Sequence, residues 1–284
     1  MTVYVSHVHA QSIYQIVDTR RRTSRKTTEA GGTQSISRTI GLLKELALRG
    51  AIGARVSEIA GALGLEYPTA HRMIRCLAAE RMIERDESTL RYSLGPLVYE
   101  LGLSVPPKLN LREICDRVTS KIAISTGDTV FLNVRSGLDV LCIDRKEGTY
   151  PIKTLIFDVG NRRPLGVGAG GLALLMPLSD DELETVVQAN ATRLQAYGSL
   201  TPKNILARVR QARERGYVVT EDIVVRGVSA ISLPFGGQKG VPPAAISVAC
   251  VPSRMPRTRH RELVGLLRTE INTLEKALRS ALVT

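Results

Sequence analysis

The sequence predicts an α+β protein of two domains: an N-terminal winged helix-turn-helix, a linker helix, and a C-terminal domain of mixed helices and strands. Three observations predict it. Two short apolar stripes at helical spacing meet at Gly64, within the stretch from Arg55 to Glu80. A polar turn, Asp86-Glu87-Ser88-Thr89, then separates Met82 and Ile83 from an alternating Leu90, Tyr92 and Leu94. Beyond Pro106 and Pro107, a helical stripe is followed by three β-branched or apolar runs bounded by Gly or Asp. A length of 284 residues suits two domains of roughly 150 each.

Residues 1–34 are read as a flexible basic extension. Val3, Tyr4, Val5, Ile13, Tyr14, Ile16 and Val17 are apolar enough to pack. Arg20, Arg21, Arg22, Arg25 and Lys26, followed by Gly31 and Gly32, have the composition of a solvated tether. Such a segment is either an arm along DNA or a tail outside the fold. A first helix is expected from a Ser35 or Ser37 cap to about Arg49, burying Ile36, Ile40, Leu43, Leu46 and Ala47. Gly50 and Gly53 break the chain after it.

In the next helix Val56, Ile59, Ala60 and Leu63 face inward, and Ser57 is placed at the N-cap. Gly64 supplies a turn that a side chain would oppose. Leu65 plugs the angle, and Pro68 suits the first turn of the following helix, where a missing N–H costs nothing. Ala70, Met73, Ile74 and Leu77 form that helix's inward stripe, leaving Tyr67, Thr69, His71, Arg72 and Arg75 outside. The second helix of such a pair enters the major groove by its N-terminal end. Those five residues, with Ser57, are therefore DNA-binding candidates. Arginine can donate two hydrogen bonds to a guanine edge, and a threonine at a helix start suits a phosphate. The same spacing also fits an αα-hairpin in a bundle. The hairpin after it raises the DNA reading, because three helices plus a hairpin make a winged helix. Arg85 and Arg91 would meet phosphates from the wing, whereas Asp86 and Glu87 at its tip would not.

Pro96 opens a short apolar helix with Leu97, Val98, Tyr99, Leu101 and Leu103. The second domain begins with a helix over Leu111 to Thr126, with Ile114, Val118, Ile122 and Ala123 as its stripe. Strands are expected at Thr129–Val134, Val140–Arg145 and Ile152–Phe157. The glycine string from Gly166 to Gly171 lacks the Gly-Lys-Ser or Gly-Lys-Thr ending of a phosphate loop. Its acidic partner would fall among Asp180 to Glu184 rather than on a second parallel strand. Close backbone approach, a mobile loop, or an anion at a helix start remain as readings of it. A final helix from Arg257 to Val283 carries Leu263, Leu266, Leu267, Ile271, Leu274 and Leu278, a core stripe first and an oligomer surface second.

Charge narrows the partners. There are 39 Lys plus Arg against 27 Asp plus Glu, a net charge of +12 shared between the parts before and after Gly95. That favours a polyanion. Cys76, Cys115, Cys142 and Cys250 lie far apart with no Cys-x-x-Cys pair, as expected of reduced, mostly packed thiols in a cytoplasm. His7 and His9 have no third ligand nearby, so no metal site is read. No apolar run approaches the ~20 residues of a membrane helix, and no export segment is seen. No paired carboxylates, Ser-His-Asp set or Cys-His pair converges, so neither a catalytic residue nor a cofactor is assigned.

The order of pieces resembles the IclR-type bacterial transcriptional regulators. Carrying that resemblance are Ser35-Ile36-Ser37-Arg38, Glu58-Ile59-Ala60 through Gly64-Leu65, Thr69-Ala70-His71-Arg72 and Tyr92-Ser93-Leu94-Gly95. The segments Val159 to Leu175, Gly216-Tyr217 with Glu221, Gly227 to Ile231 with Pro234, and Ala244 to Arg254 extend it. Pro68 stands where the family usually has serine, and Leu172 where its commonest form has lysine. The resemblance implies a winged helix-turn-helix at 35–95, a linker helix at 96–105, and a GAF-like domain at 106–284 for effector binding and oligomerisation. Effector-binding positions carried over from it fall on Ile152, Leu155, Ala169, Gly170, Thr220, Ala230, Ser247 and Ala249. They are mostly apolar, which suits a small organic acid or aromatic compound. The function expected is a ligand-responsive regulator that binds a near-palindromic double-stranded operator as a homo-oligomer, dimer or tetramer, with no membrane partner. An enzyme docked on nucleic acid by its basic domain, and a constitutive architectural protein, are the alternatives.

Overall fold

The computed structural model describes residues 4–5, 33–104, 110–198, 200–238 and 240–281. Two compact units emerge, one within 15–108 and a larger one in which 109–284 is joined by a two-residue strand, β1 (Tyr4–Val5). The basic stretch from Arg20 to Gly32 lies outside the described residues.

In the smaller unit, helices α1 (Gln34–Arg49), α2 (Val56–Leu63) and α3 (Tyr67–Ala79) surround a core of Leu42, Leu46, Ala54, Ile59, Ile74, Leu77 and Ile83. Helix α1 starts ahead of both expected serine caps, with Thr33 at its N-cap. Its first turns overshoot this small core, so Ile36 and Ile40 are 59% and 47% exposed rather than buried. At the corner, Gly64 has φ 62° and ψ 34°. The N–H groups of Leu65 and Gly64 return to the carbonyls of Ala60 and Gly61 at 2.9 and 3.3 Å, closing the end of α2. Strands β2 (Ile83–Asp86) and β3 (Arg91–Leu94) form the antiparallel wing. The Asp86 carboxylate accepts from the Ser88 hydroxyl at 2.6 Å and from the Ser88 and Thr89 N–H groups at 2.8 and 2.9 Å. These bonds, the Ser88 hydroxyl foremost, hold its carboxyl at about 2. Leu90 sits in the turn at φ 58°, outside the strand alternation expected for it. Helix α4 (Pro96–Leu103) buries none of its side chains.

The larger unit begins with α5 (Leu111–Thr126), whose N-cap Asn110 accepts from the Glu113 N–H. It continues through β4 (Thr129–Ser136), β5 (Asp139–Lys146), β6 (Lys153–Thr154), β7 (Arg162–Pro164), α6 (Gly168–Ala173), α7 (Asp180–Ala189), α8 (Ala191–Leu194) and α9 (Pro202–Arg215). The chain then adds β8 (Val218–Glu221), β9 (Ser229–Phe235), β10 (Ala244–Cys250) and α10 (Arg257–Ala281). Six strands make one antiparallel sheet in the order β7-β5-β4-β10-β9-β8. Every residue of β10 is buried. Ile246, Val248 and Cys250 face α5 and α10, packing with Ile122, Leu263 and Leu267. Ala245 and Ala249 face the other way, toward Leu172, Leu183 and Val209 of α6, α7 and α9. The period of two along β10 thus feeds two cores, one on each face.

One expected strand is not found. Ile152–Phe157 is no strand of this sheet; only Lys153 and Thr154 pair, parallel to Tyr4 and Val5, while β7 takes the edge beside β5. Its apolar residues serve loop packing instead, with Phe157 buried in the core beside α6. Of the four cysteines Cys76 is exposed. Burial pushes the other three thiols up to about 12, so they are inert core atoms.

Candidate functional site

Helix α3 presents its polar face as a consequence of its buried one. Ala70, Ile74 and Leu77 are fixed inward, which turns Arg72 and Arg75 outward, and both are exposed. Neither forms an ion pair among the described residues. At the N-terminal end Tyr67, 54% exposed, stacks on His71 with ring centroids 6.1 Å apart and planes 11° from parallel. Thr69 is half-buried in the first turn. Ser57 is exposed, but it is not the cap of α2: the helix starts at Val56, and the Arg55 N–H is capped by the Glu58 carboxylate at 2.9 Å. Arg55 is therefore exposed at the N-terminal end of α2, a basic neighbour of Ser57 that a cap placed at Ser57 concealed.

Arg91 has a different task from the phosphate contact expected of it. Its guanidinium makes two bonds of 3.0 Å to the Glu58 carboxylate and a third of 3.0 Å to the Gly53 carbonyl, tying the wing to α2. A carbon added at Gly53 would come within 2.5 Å of the Tyr92 carbonyl, so the same junction is closed on its backbone side too. Burial opposes the Glu58 charge, but the Arg55 N–H and Arg91 outweigh it and hold the carboxyl below its ordinary value. A depressed carboxylate gives stability that is complete above the unfolded pKa, near 4.5, and lost as pH falls through the folded one. Acidification through that window should narrow the gap in melting temperature between the full chain and its Arg91→Ala variant. At neutral pH the variant should be less stable by about 1 kcal/mol, as for a partly exposed pair. Melting curves that stay equally spaced down to acid pH would disprove the coupling.

In the larger unit, a partly open cavity of about 50 Å³ lies between α6 and the strands beneath it. Among the expected effector residues Ala169, Gly170, Ala230, Ser247 and Ala249 line it. Ile152 and Leu155 are half-buried on either side of β6, and Thr220 is buried on β8, paired with Ala230; none of the three reaches the wall. The lining also includes Phe131, Asn133, Val140, Ile156, Phe157, Arg163 and Val167. For Phe131 and Asn133 a signal existed, since an asparagine two residues after a phenylalanine in an apolar strand shares its face. The polar part of the wall is a ladder across three strands. The Asn133 amide donates to Ser247 Oγ at 3.4 Å, Ser247 to Ser232 Oγ at 2.8 Å, and Ser232 to the Ile246 carbonyl at 3.1 Å. Arg163 stands over the Phe157 ring, 4.5 Å from its centroid, and donates to the Ile156 carbonyl. Gly170 is held to glycine by the ladder: a carbon there would meet Asn133 Nδ2 at 2.5 Å and Ser247 Oγ at 3.2 Å.

Residues 35–87 match the IclR helix-turn-helix domain, and residues 104–274 match the domain described as bacterial transcriptional regulator IclR C-terminal. The chain belongs to the IclR family. The HTH-type transcriptional repressor AllR of Salmonella paratyphi A is 27% identical over 248 residues, 87% of this chain and 90% of that protein. An IclR family regulator from Brucella abortus superimposes with a TM-score of 0.71 at 19% identity, covering 90% of this chain and 99% of its own. An IclR homologue from Microbacterium hydrocarbonoxydans, solved in complex with 4-hydroxybenzoate, gives a TM-score of 0.67 at 21% identity, covering 87% and 100%. As a member of the IclR family this chain is a DNA-binding transcriptional regulator with an effector-binding C-terminal domain, and not an enzyme. Among its described residues no helix is long and apolar enough to cross a membrane.

Proposed function

We propose that this IclR-family chain is a repressor that holds a near-palindromic operator as a homo-oligomer and releases it when a small organic acid fills the cavity under α6. The observation that carries this is the cavity itself: an apolar wall with one charged side chain, Arg163, and one polar ladder, inside an effector-binding domain. Its volume, room for only a few water molecules, favours a small acid over an aromatic compound. Repression is supported by the name of the AllR relatives. Oligomerisation is supported by apolar pairs four residues apart that α1 and α4 leave exposed, Ile36 with Ile40 and Tyr99 with Leu103. In this scheme 35–95 reads DNA through Ser57, Tyr67, Thr69, His71, Arg72 and Arg75, 96–105 connects, and 106–284 senses and assembles. Of residues 1–34 this scheme uses only β1, the short strand that pairs with β6.

The test is a mobility-shift titration of the full chain on the DNA upstream of its own gene, with and without a panel of small carboxylic acids. The expected result is retarded DNA that one class of acid releases. Gly170→Ala, which presses on Asn133, should keep its DNA affinity and lose that response. An operator complex indifferent to every compound would remove the sensing part of the proposal; no complex at low ionic strength would remove all of it.

A further inference from the structure

We infer that Asn133 selects the effector by accepting a hydrogen bond, so that the cavity's ligand is a small carboxylic acid carrying a hydroxyl group. This rests on the effector-site proposal above and narrows it. The Ile246 carbonyl can only accept, so the Ser232 hydroxyl must donate to it. Ser247 then spends its own proton on Ser232, and its oxygen has only lone pairs left to offer Asn133. The amide is thereby fixed with its NH₂ toward Ser247 and its Oδ1 turned away.

That oxygen is buried, in a side chain only 2% exposed, and among the described residues it accepts no hydrogen bond. A buried carbonyl oxygen without a donor is costly and uncommon, and this one belongs to a residue lining the cavity. A hydroxyl on the ligand satisfies it, whereas a keto oxygen or a methylene does not. Arg163, the only charged residue in the wall among the described residues, supplies the field that favours a carboxylate on the same ligand.

The experiment is calorimetric titration of the purified full chain with lactate, propionate and pyruvate, which are matched in size and differ only at the second carbon. Lactate is expected to bind about tenfold tighter than either of the others. Asn133→Leu should erase that preference. Ser247→Ala provides a second, milder variant: with its anchor gone the amide is free to turn its NH₂ inward, and the advantage of lactate over pyruvate should shrink while propionate stays weak. Equal affinities for the three acids in the wild type, or a lactate preference that survives Asn133→Leu, would overturn the inference while leaving the effector site standing. If none of the three binds, the inference falls, and release of the operator by a compound of another class then decides the effector-site proposal separately.

Discussion

Replacing Arg72 with alanine is expected to weaken operator binding by about 1–3 kcal/mol, roughly fivefold to hundredfold, and to flatten discrimination between operator and random DNA. Arg72 is exposed on α3, on the side opposite the buried Ala70, Ile74 and Leu77, and it has no ion pair among the described residues. Its loss removes no packing, so the melting temperature should stay within the shift of a surface substitution, about 0.5 kcal/mol. Arg91 is the control. Its guanidinium is engaged with Glu58 and Gly53, so Arg91→Ala should move the melting temperature more than the footprint. A wild-type footprint from Arg72→Ala would end the assignment of α3 as the groove-reading helix in this form.

Asp128→Ala should cost the effector domain about 3 kcal/mol, a fall in melting temperature of roughly 6–12 °C for a domain of this size. The Asp128 side chain is 1% exposed and meets Arg254 Nε at 2.7 Å and Arg259 Nη1 at 2.8 Å. Both guanidiniums also donate to the Thr126 carbonyl at 2.9 Å, and Arg254 lies 3.9 Å from the centroid of the Tyr150 ring. One carboxylate therefore joins the end of α5 to the start of α10. Removing it leaves two cations facing each other across the gap, partly hydrated, which keeps the cost at the lower end for a broken buried pair. A melting temperature within about 2 °C of wild type would show that the cluster contributes nothing net.

The elements that the sequence made legible are those whose signal is local. Gly64 with Pro68 four residues on marked the corner between α2 and α3, and the Leu111–Thr126 helix was placed by its apolar stripe. Strands β9 and β10, read only as parts of a family resemblance, carry small residues such as Ala244, Ala245 and Ala249. Small residues there serve close packing on both faces and leave little hydrophobic alternation to read. Ile36 and Ile40 misled because periodicity gives the direction of a helix face but not how far the core beneath it extends.

By itself the sequence determined the order of helices and turns, the outward set of α3, and family membership through its spaced motifs, because backbone preference and apolar period act over a few residues. Which way a polar side chain is spent was decided only by the tertiary structure. Arg91 became a clamp because folding brought Glu58, 33 residues away, within 3.0 Å. Asn133 became part of a cavity wall because Ser247, 114 residues on, was registered beside it. Hydrogen bonds and ion pairs are short-ranged and directional, so their partners exist only once the strands have found their register.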